Sequence, residues 1–264
     1  MDGIIDRGKQ SRELSKYEET GRLADLVTPM KLILSDRRDI AENTKAIWFE
    51  PEKPVRFAAG QFGDFTLIDP PFTDEKGNTR TFSIASAPES DRILIATRMR
   101  NSAFKHSLAE LPVGSPVQLM GPMGSFTLHK DPARPAVFLT GGIGITPVRS
   151  IVEQATRLRM PHKIFVFHSN RARAGMAFFD EFQAWSRENA NLTFVPTLSR
   201  ERPKDWKLEL GKIDREMLSG HLSDIHAPIY YVVGPPAMVA AMKALLAELG
   251  IDEMQIRSED FIGY

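Results

Sequence analysis

The stretch AVFLTGGIGITPVRSIV, residues 136–152, limits what this chain can fold into more than any other. An apolar run (136–139) enters a turn built on Gly141, Gly142 and Gly144, and apolar residues then recur at Val148, Ile151, Val152, Ala155 and Leu158. That is a strand, a tight turn and a helix start. Thr146 can cap the helix and Pro147 suits its first turn, so free backbone N–H groups and the positive end of the helix dipole face an incoming anion. The spacing is not G-x-G-x-x-G, because Pro147 stands in the third place, and it lacks the Gly-Lys-Ser/Thr of a Walker loop. On its own the pattern fits either a phosphate cradle or a plain glycine turn.

Around this motif the chain divides by texture. Residues 1–26 are polar and charged and read as an N-terminal arm. From 27 to 131 come short alternating runs, among them MKLILS, FGDFTLID, TRTFSIAS and SFTLHK, broken by Pro54, Gly60, Pro70, Pro71 and Gly77. They predict an antiparallel β-barrel domain with one helical piece near 103–111. Beyond a linker at 130–135, strand-like and helix-like segments alternate through 132–264. That order predicts a second, α/β domain with a Rossmann-like parallel sheet, helices on both faces and ligands at the carboxyl ends of its strands.

Composition excludes several chemistries. Lys+Arg and Asp+Glu both number 34, so there is no net field to recruit nucleic acid or an acidic membrane. Cysteine is absent, which removes disulfides, thiolate nucleophiles, Cys-ligated zinc and a resident iron–sulfur cluster; no metal site is expected, and redox chemistry needs a bound organic cofactor. No run reaches the roughly 18 apolar residues of a membrane span. MDGIIDRGKQ lacks the apolar core of a signal peptide, and the cytoplasm is the expected compartment.

Two further loops fall on the edge of the sheet that carries the glycine turn. A strand at 164–167 ends in His168-Ser169-Asn170-Arg171, where a dinucleotide's adenosine ribose would lie. An acid there selects the free 2′-hydroxyl of NADH, whereas Ser169, Asn170 and Arg171 lean toward the 2′-phosphate of NADPH. A strand at 229–233 leads into Gly234-Pro235-Pro236-Ala237-Met238 and an amphipathic helix. Two strand–glycine–helix loops on one edge favour a nucleotide crevice.

Taken together, Arg80-Thr81-Phe82-Ser83, the loop at 141–147, the Gly234–Met238 stretch and the terminal FIGY resemble the ferredoxin-NADP reductase superfamily, in family order and over nearly everything after residue 28. The resemblance implies FAD in the barrel and NADPH or NADH in the second domain, with hydride passing between them and single electrons leaving to a ferredoxin, a flavodoxin or an oxygenase component. A free-flavin reductase and a non-catalytic redox-sensing subunit are the rivals.

By the same resemblance, Arg80 pairs with the flavin phosphates, Thr81 and Phe82 flank the ring, and Ser83 lies near N5. Phe82 replaces the family's tyrosine. Ala96, Thr97, Met99, Ser102, Ala103, Phe104 and Lys105 form a second flavin-phosphate region, to which Thr146 and Phe261 add contacts. Gly141, Gly142, Gly144, Thr146, Gly234, Pro235, Pro236 and Met238 hold the nicotinamide nucleotide. Tyr264 covers the flavin ring, and Glu259 or Asp260 beside it supplies the active-site carboxylate. Val233 replaces the cysteine that many relatives carry before the Gly-Pro-Pro turn.

Overall fold

The structure, a computed structural model, describes residues 28–261; the arm expected at 1–26 and Tyr264 lie outside them. The first half is one antiparallel sheet of β1 (Met30–Ala41), β2 (Thr44–Pro51), β3 (Phe62–Leu67), β4 (Thr79–Ser83), β5 (Ile93–Arg98) and β6 (Pro116–Met123), in the order β4-β3-β6-β1-β2-β5. Its period-2 pattern is clearest in β3, where every second residue is buried. Bulges between Leu34 and Asp36 and between Phe62 and Asp64 add local bend and twist, helping the sheet to curl. The expected barrel is therefore a curled sheet, with its two edge strands, β4 and β5, bordering a seam.

Helix α1 (Ala103–Glu110) plugs the curl, burying Phe104 and Leu108 among Phe49, Phe65, Phe82 and Leu119. β1 runs six residues past MKLILS, through the charged DRRDIA. Those charges find partners: Arg37 donates to the Leu108 and Leu111 carbonyls at the end of α1 (3.0 and 2.7 Å). SFTLHK, predicted as a strand, is irregular; Arg257 donates to the Thr127 carbonyl, and Phe126 packs edge-on against Tyr231.

The second half is an all-parallel sheet of β7 (Ala136–Gly141), β8 (Ile164–Asn170), β9 (Leu192–Leu198), β10 (Glu209–Leu210), β11 (Ile229–Gly234) and β12 (Ile256–Asp260), ordered β10-β9-β8-β7-β11-β12. β7 and β11 are buried at every residue, as strands covered on both faces must be. α2 (Ile145–Arg157) and α3 (Phe179–Glu188) cover one face; α4 (Arg215–His221) and α5 (Pro236–Glu248) cover the other.

The halves meet through a continuous apolar cluster in which Ala46, Ala85, Leu94, Ala96 and Phe126 of the first pack against Ile143, Val148 and Ile151 of the second. α2 grips the segment after β4: Arg149 donates to the Ala85 carbonyl, Ser150 to the Ser86 carbonyl, and Glu153 accepts from the Ala87 amide (2.7, 2.6 and 2.9 Å).

Candidate active site

A cleft of about 930 Å³ lies at the seam. Arg80, Thr81, Phe82 and Ser83 enter it from β4, Ala96 from β5, Ser102 and Lys105 from α1 and its cap, Thr146 from α2, and Glu259 and Phe261 from the end of β12 and beyond. Elements far apart in sequence thus converge on one cleft. Thr97, Met99, Ala103 and Phe104 do not line it: Thr97 is fully buried, and the Met99 amide is tied to the Asn43 carbonyl. Phe104 lies behind the lining, tilted against Phe82 (5.7 Å between centroids) and under the Arg80 guanidinium (5.3 Å). Phe62, Asp74, Glu75, Lys76 and Arg100 also line the cleft, and sequence reading missed them.

Charge is concentrated at one end. Arg80 Nη1 donates to the carbonyls of Lys76, Gly77 and Thr79, and its Nη2 faces Asp74. The Lys105 ammonium donates to the Arg98 carbonyl (2.8 Å) and is pushed down to about 8, first by burial and then by Arg100 and Arg80. Towards the other half the cleft holds the Ser83 hydroxyl, 7% exposed, and Glu259, whose carboxyl burial pushes up to about 7. An aromatic floor, a small hydroxyl and permanent cations suit a flat heterocycle bearing phosphates.

The glycine loop is shaped by backbone contact. A Cβ on Gly144 would lie 2.6 Å from the Val233 carbonyl oxygen, and one on Gly141 would strike Met238 Sδ, so the two glycine loops interlock. α2 starts at Ile145, directly after a 3-10 turn at Gly142–Gly144, so Thr146 sits inside the helix and not at its cap; its hydroxyl donates to the Ile143 carbonyl (3.1 Å). The early amides of this 13-residue helix have no carbonyl four residues back within it, the arrangement that receives a phosphate. His168, kept neutral by burial that pushes it down to about 4, directs Nε2 at the Gly142 carbonyl (3.0 Å).

At the end of β8, Asn170 is 4% exposed and turned inward, with its Oδ1 accepting from Arg98 and its amide nitrogen against His168. Ser169 is half-buried and Arg171 is exposed. An acid absent from the strand end in sequence is present in space: Glu201 donates its amide to the Arg171 carbonyl and accepts from the Arg173 amide (2.9 and 2.7 Å). Pro235 precedes α5, Pro236 opens it, and Met238 packs on Gly141. Among the described residues, no group of three His, Asp or Glu could hold a metal ion, and no helix is long and apolar enough to cross a membrane.

Residues 138–244 match the family of oxidoreductase NAD-binding domains. Over 201 residues the chain is 32% identical to one subunit of the sodium-translocating NADH-quinone reductase of Idiomarina loihiensis, covering 73% of this chain and 47% of that protein. The chain spans about half the length of the curated relatives it matches. Its fold superposes on the Amycolatopsis cytochrome P450 reductase with a TM-score of 0.76 (23% identity, 89% of this chain and 70% of that one). The Neisseria gonorrhoeae ferredoxin NADP+ reductase, solved with FAD and NADP bound, gives 0.70 (21% identity, 88% and 98%). Fold, cleft and nucleotide domain define a two-domain flavoprotein oxidoreductase. The chain belongs to the ferredoxin-NADP reductase superfamily, with a domain of the NAD-binding kind.

Proposed function

We propose that this chain oxidises NADH on FAD and passes the electrons to a separate protein carrier, of the ferredoxin or flavodoxin kind or a component of a larger electron-transfer system. One observation carries the reading: Thr146, in the first turn of the helix that leaves the glycine loop, lines the same cleft as Ser83 and Glu259. The nucleotide loop and the flavin-type cleft therefore share a border. FAD, when bound, supplies the exchange of a two-electron hydride for single electrons.

The side chains bind, orient and exclude water. Phe82, backed by Phe104, forms an apolar floor, Ser83 offers a small hydroxyl, and Glu259, raised to about 7, can hold or give up a proton near neutrality. Glu201 beside the β8 terminus supports NADH, since a carboxylate accepts from a ribose 2′-hydroxyl and repels a 2′-phosphate; Arg171 is the opposing influence. With no cysteine among the 264 residues, one-electron transfer leads to a carrier elsewhere, and the sodium-translocating relatives favour a multi-protein system.

The test is an anaerobic visible spectrum of the FAD-loaded protein titrated with each coenzyme. Flavin bands that bleach at lower NADH than NADPH are expected. Preference for NADPH overturns the coenzyme assignment, and a protein that takes up no flavin overturns the reading itself.

A further inference from the structure

α1 takes both of its caps from remote parts of the chain. Its N-cap, Ser102, makes no side-chain capping bond, its first turn holds no acid and its last turn no base. The C-terminal carbonyls are met by Arg37. The N-terminus is met by Asp74, which lies 29 residues upstream: Oδ2 accepts from the Ala103 amide (3.2 Å) while Oδ1 faces Arg80 Nη2 (3.4 Å) and accepts from the Lys76 amide (2.9 Å). Asp74, Lys76, Arg80, Ser102 and Lys105 all line the cleft. A helix-N-terminal amide, a loop amide and a guanidinium directed at one anion are a donor set that a phosphate also uses. Here the anion is the chain's own carboxylate.

We propose that Asp74 is a resident anion at the phosphate end of the flavin cleft. It engages the donors that a flavin phosphate would use, so FAD and FMN bind by displacing it, and its charge lowers their affinity without touching that of riboflavin. The inference rests on the flavin reading above. Asp74→Asn is nearly isosteric and keeps one oxygen to accept from the Ala103 amide, removing the charge together with the acceptor that faces the Lys76 amide and Arg80; Asp74→Ser is a second variant with the same expected direction.

Quenching of flavin fluorescence, titrated with FAD, FMN and riboflavin in wild type and both variants, decides the matter. Expected is an affinity for FAD and FMN tighter by roughly three- to tenfold in the variants, with riboflavin unchanged. The difference should shrink as salt is raised. Unchanged or weaker FAD and FMN binding overturns the inference, because Asp74 then merely orders Arg80 and α1. Equal tightening of all three flavins also overturns it, as does loss of all three in the variants alone. If wild type binds none of the three flavins, the flavin reading falls first and this inference with it.

Discussion

The flavin-side cleft presents side chains from strands and a helix, Arg80, Phe82, Ser83 and Lys105, whereas the nucleotide loop presents main chain bared by Gly141, Gly142 and Gly144. In the first, the shape comes from atoms that rotamers and single substitutions can move. In the second, it comes from backbones interlocked so closely that a Cβ on Gly144 would collide with the next loop. A site of side chains can be tuned one group at a time; a site of main chain either forms or does not. Different mutational behaviour should follow on the two sides of one cleft.

The sharpest challenge comes at the junction that couples them. Arg149 pairs with Glu153 and Glu181, donates to the Ala85 carbonyl and lies over Phe178 and Trp185. Arg149→Met leaves the buried Glu153 with Arg157 and the Ala87 amide as partners and the Ala85 carbonyl without its donor, and about 3 kcal/mol of stability should be lost in urea unfolding. A loss below about 1 kcal/mol would mean that apolar packing alone holds the halves together.

Gly144→Ala tests the main-chain side. Overpacking against the Val233 carbonyl and Gly234 should cost about 1–3 kcal/mol and abolish saturable bleaching by NADH, with FAD uptake retained. If coenzyme binding survives, the interlock is softer than its geometry and the contrast collapses.

Next in size is the coenzyme switch. Glu201→Gln should lower KM for NADPH relative to NADH by about tenfold, and Arg171→Ala should move the ratio the other way. An unchanged ratio in both variants would take this loop out of the specificity site.

Smallest is the pH response of Glu259, whose carboxyl burial raises from its ordinary 4.5 to about 7. The folded chain keeps this proton over a range in which the unfolded chain has released it. Its stabilising contribution is thus full below pH 4.5 and lost as pH rises through about 7. Glu259→Gln should flatten that part of the Tm profile, and a wild-type slope persisting in the variant would assign it to another group.

Legibility in the sequence follows the same divide. Glycine spacing announced the nucleotide loop because close approach of backbones leaves no other residue able to fit at Gly144. Buried strands such as β7 and β11 were visible as apolar runs. β12 was missed because an edge strand ending beside a cleft can read IRSED and still pair with β11. The extension of β1 was hidden by charges whose partners, such as the α1 carbonyls taken by Arg37, are remote in sequence. SFTLHK misled because its alternation serves packing on Tyr231 instead of a ladder. In the cleft, Arg80 and Ser83 belong to a motif that the sequence displays, but Asp74 and Glu201 make their contacts across loops that carry no periodic signal.

α2 begins at the glycine loop, and five to nine residues later its Arg149, Ser150 and Glu153 hold the backbone that follows Ser83. A helix rises about 1.5 Å and turns about 100° per residue, so the offset between the two sites is fixed by a count of residues in a stiff rod. One residue inserted in that interval would swing the three grips off their carbonyl and amide partners together. The spacing of the glycine loop from the cleft wall is thereby written digitally, in whole residues, and thermal motion of a linker has little purchase on it.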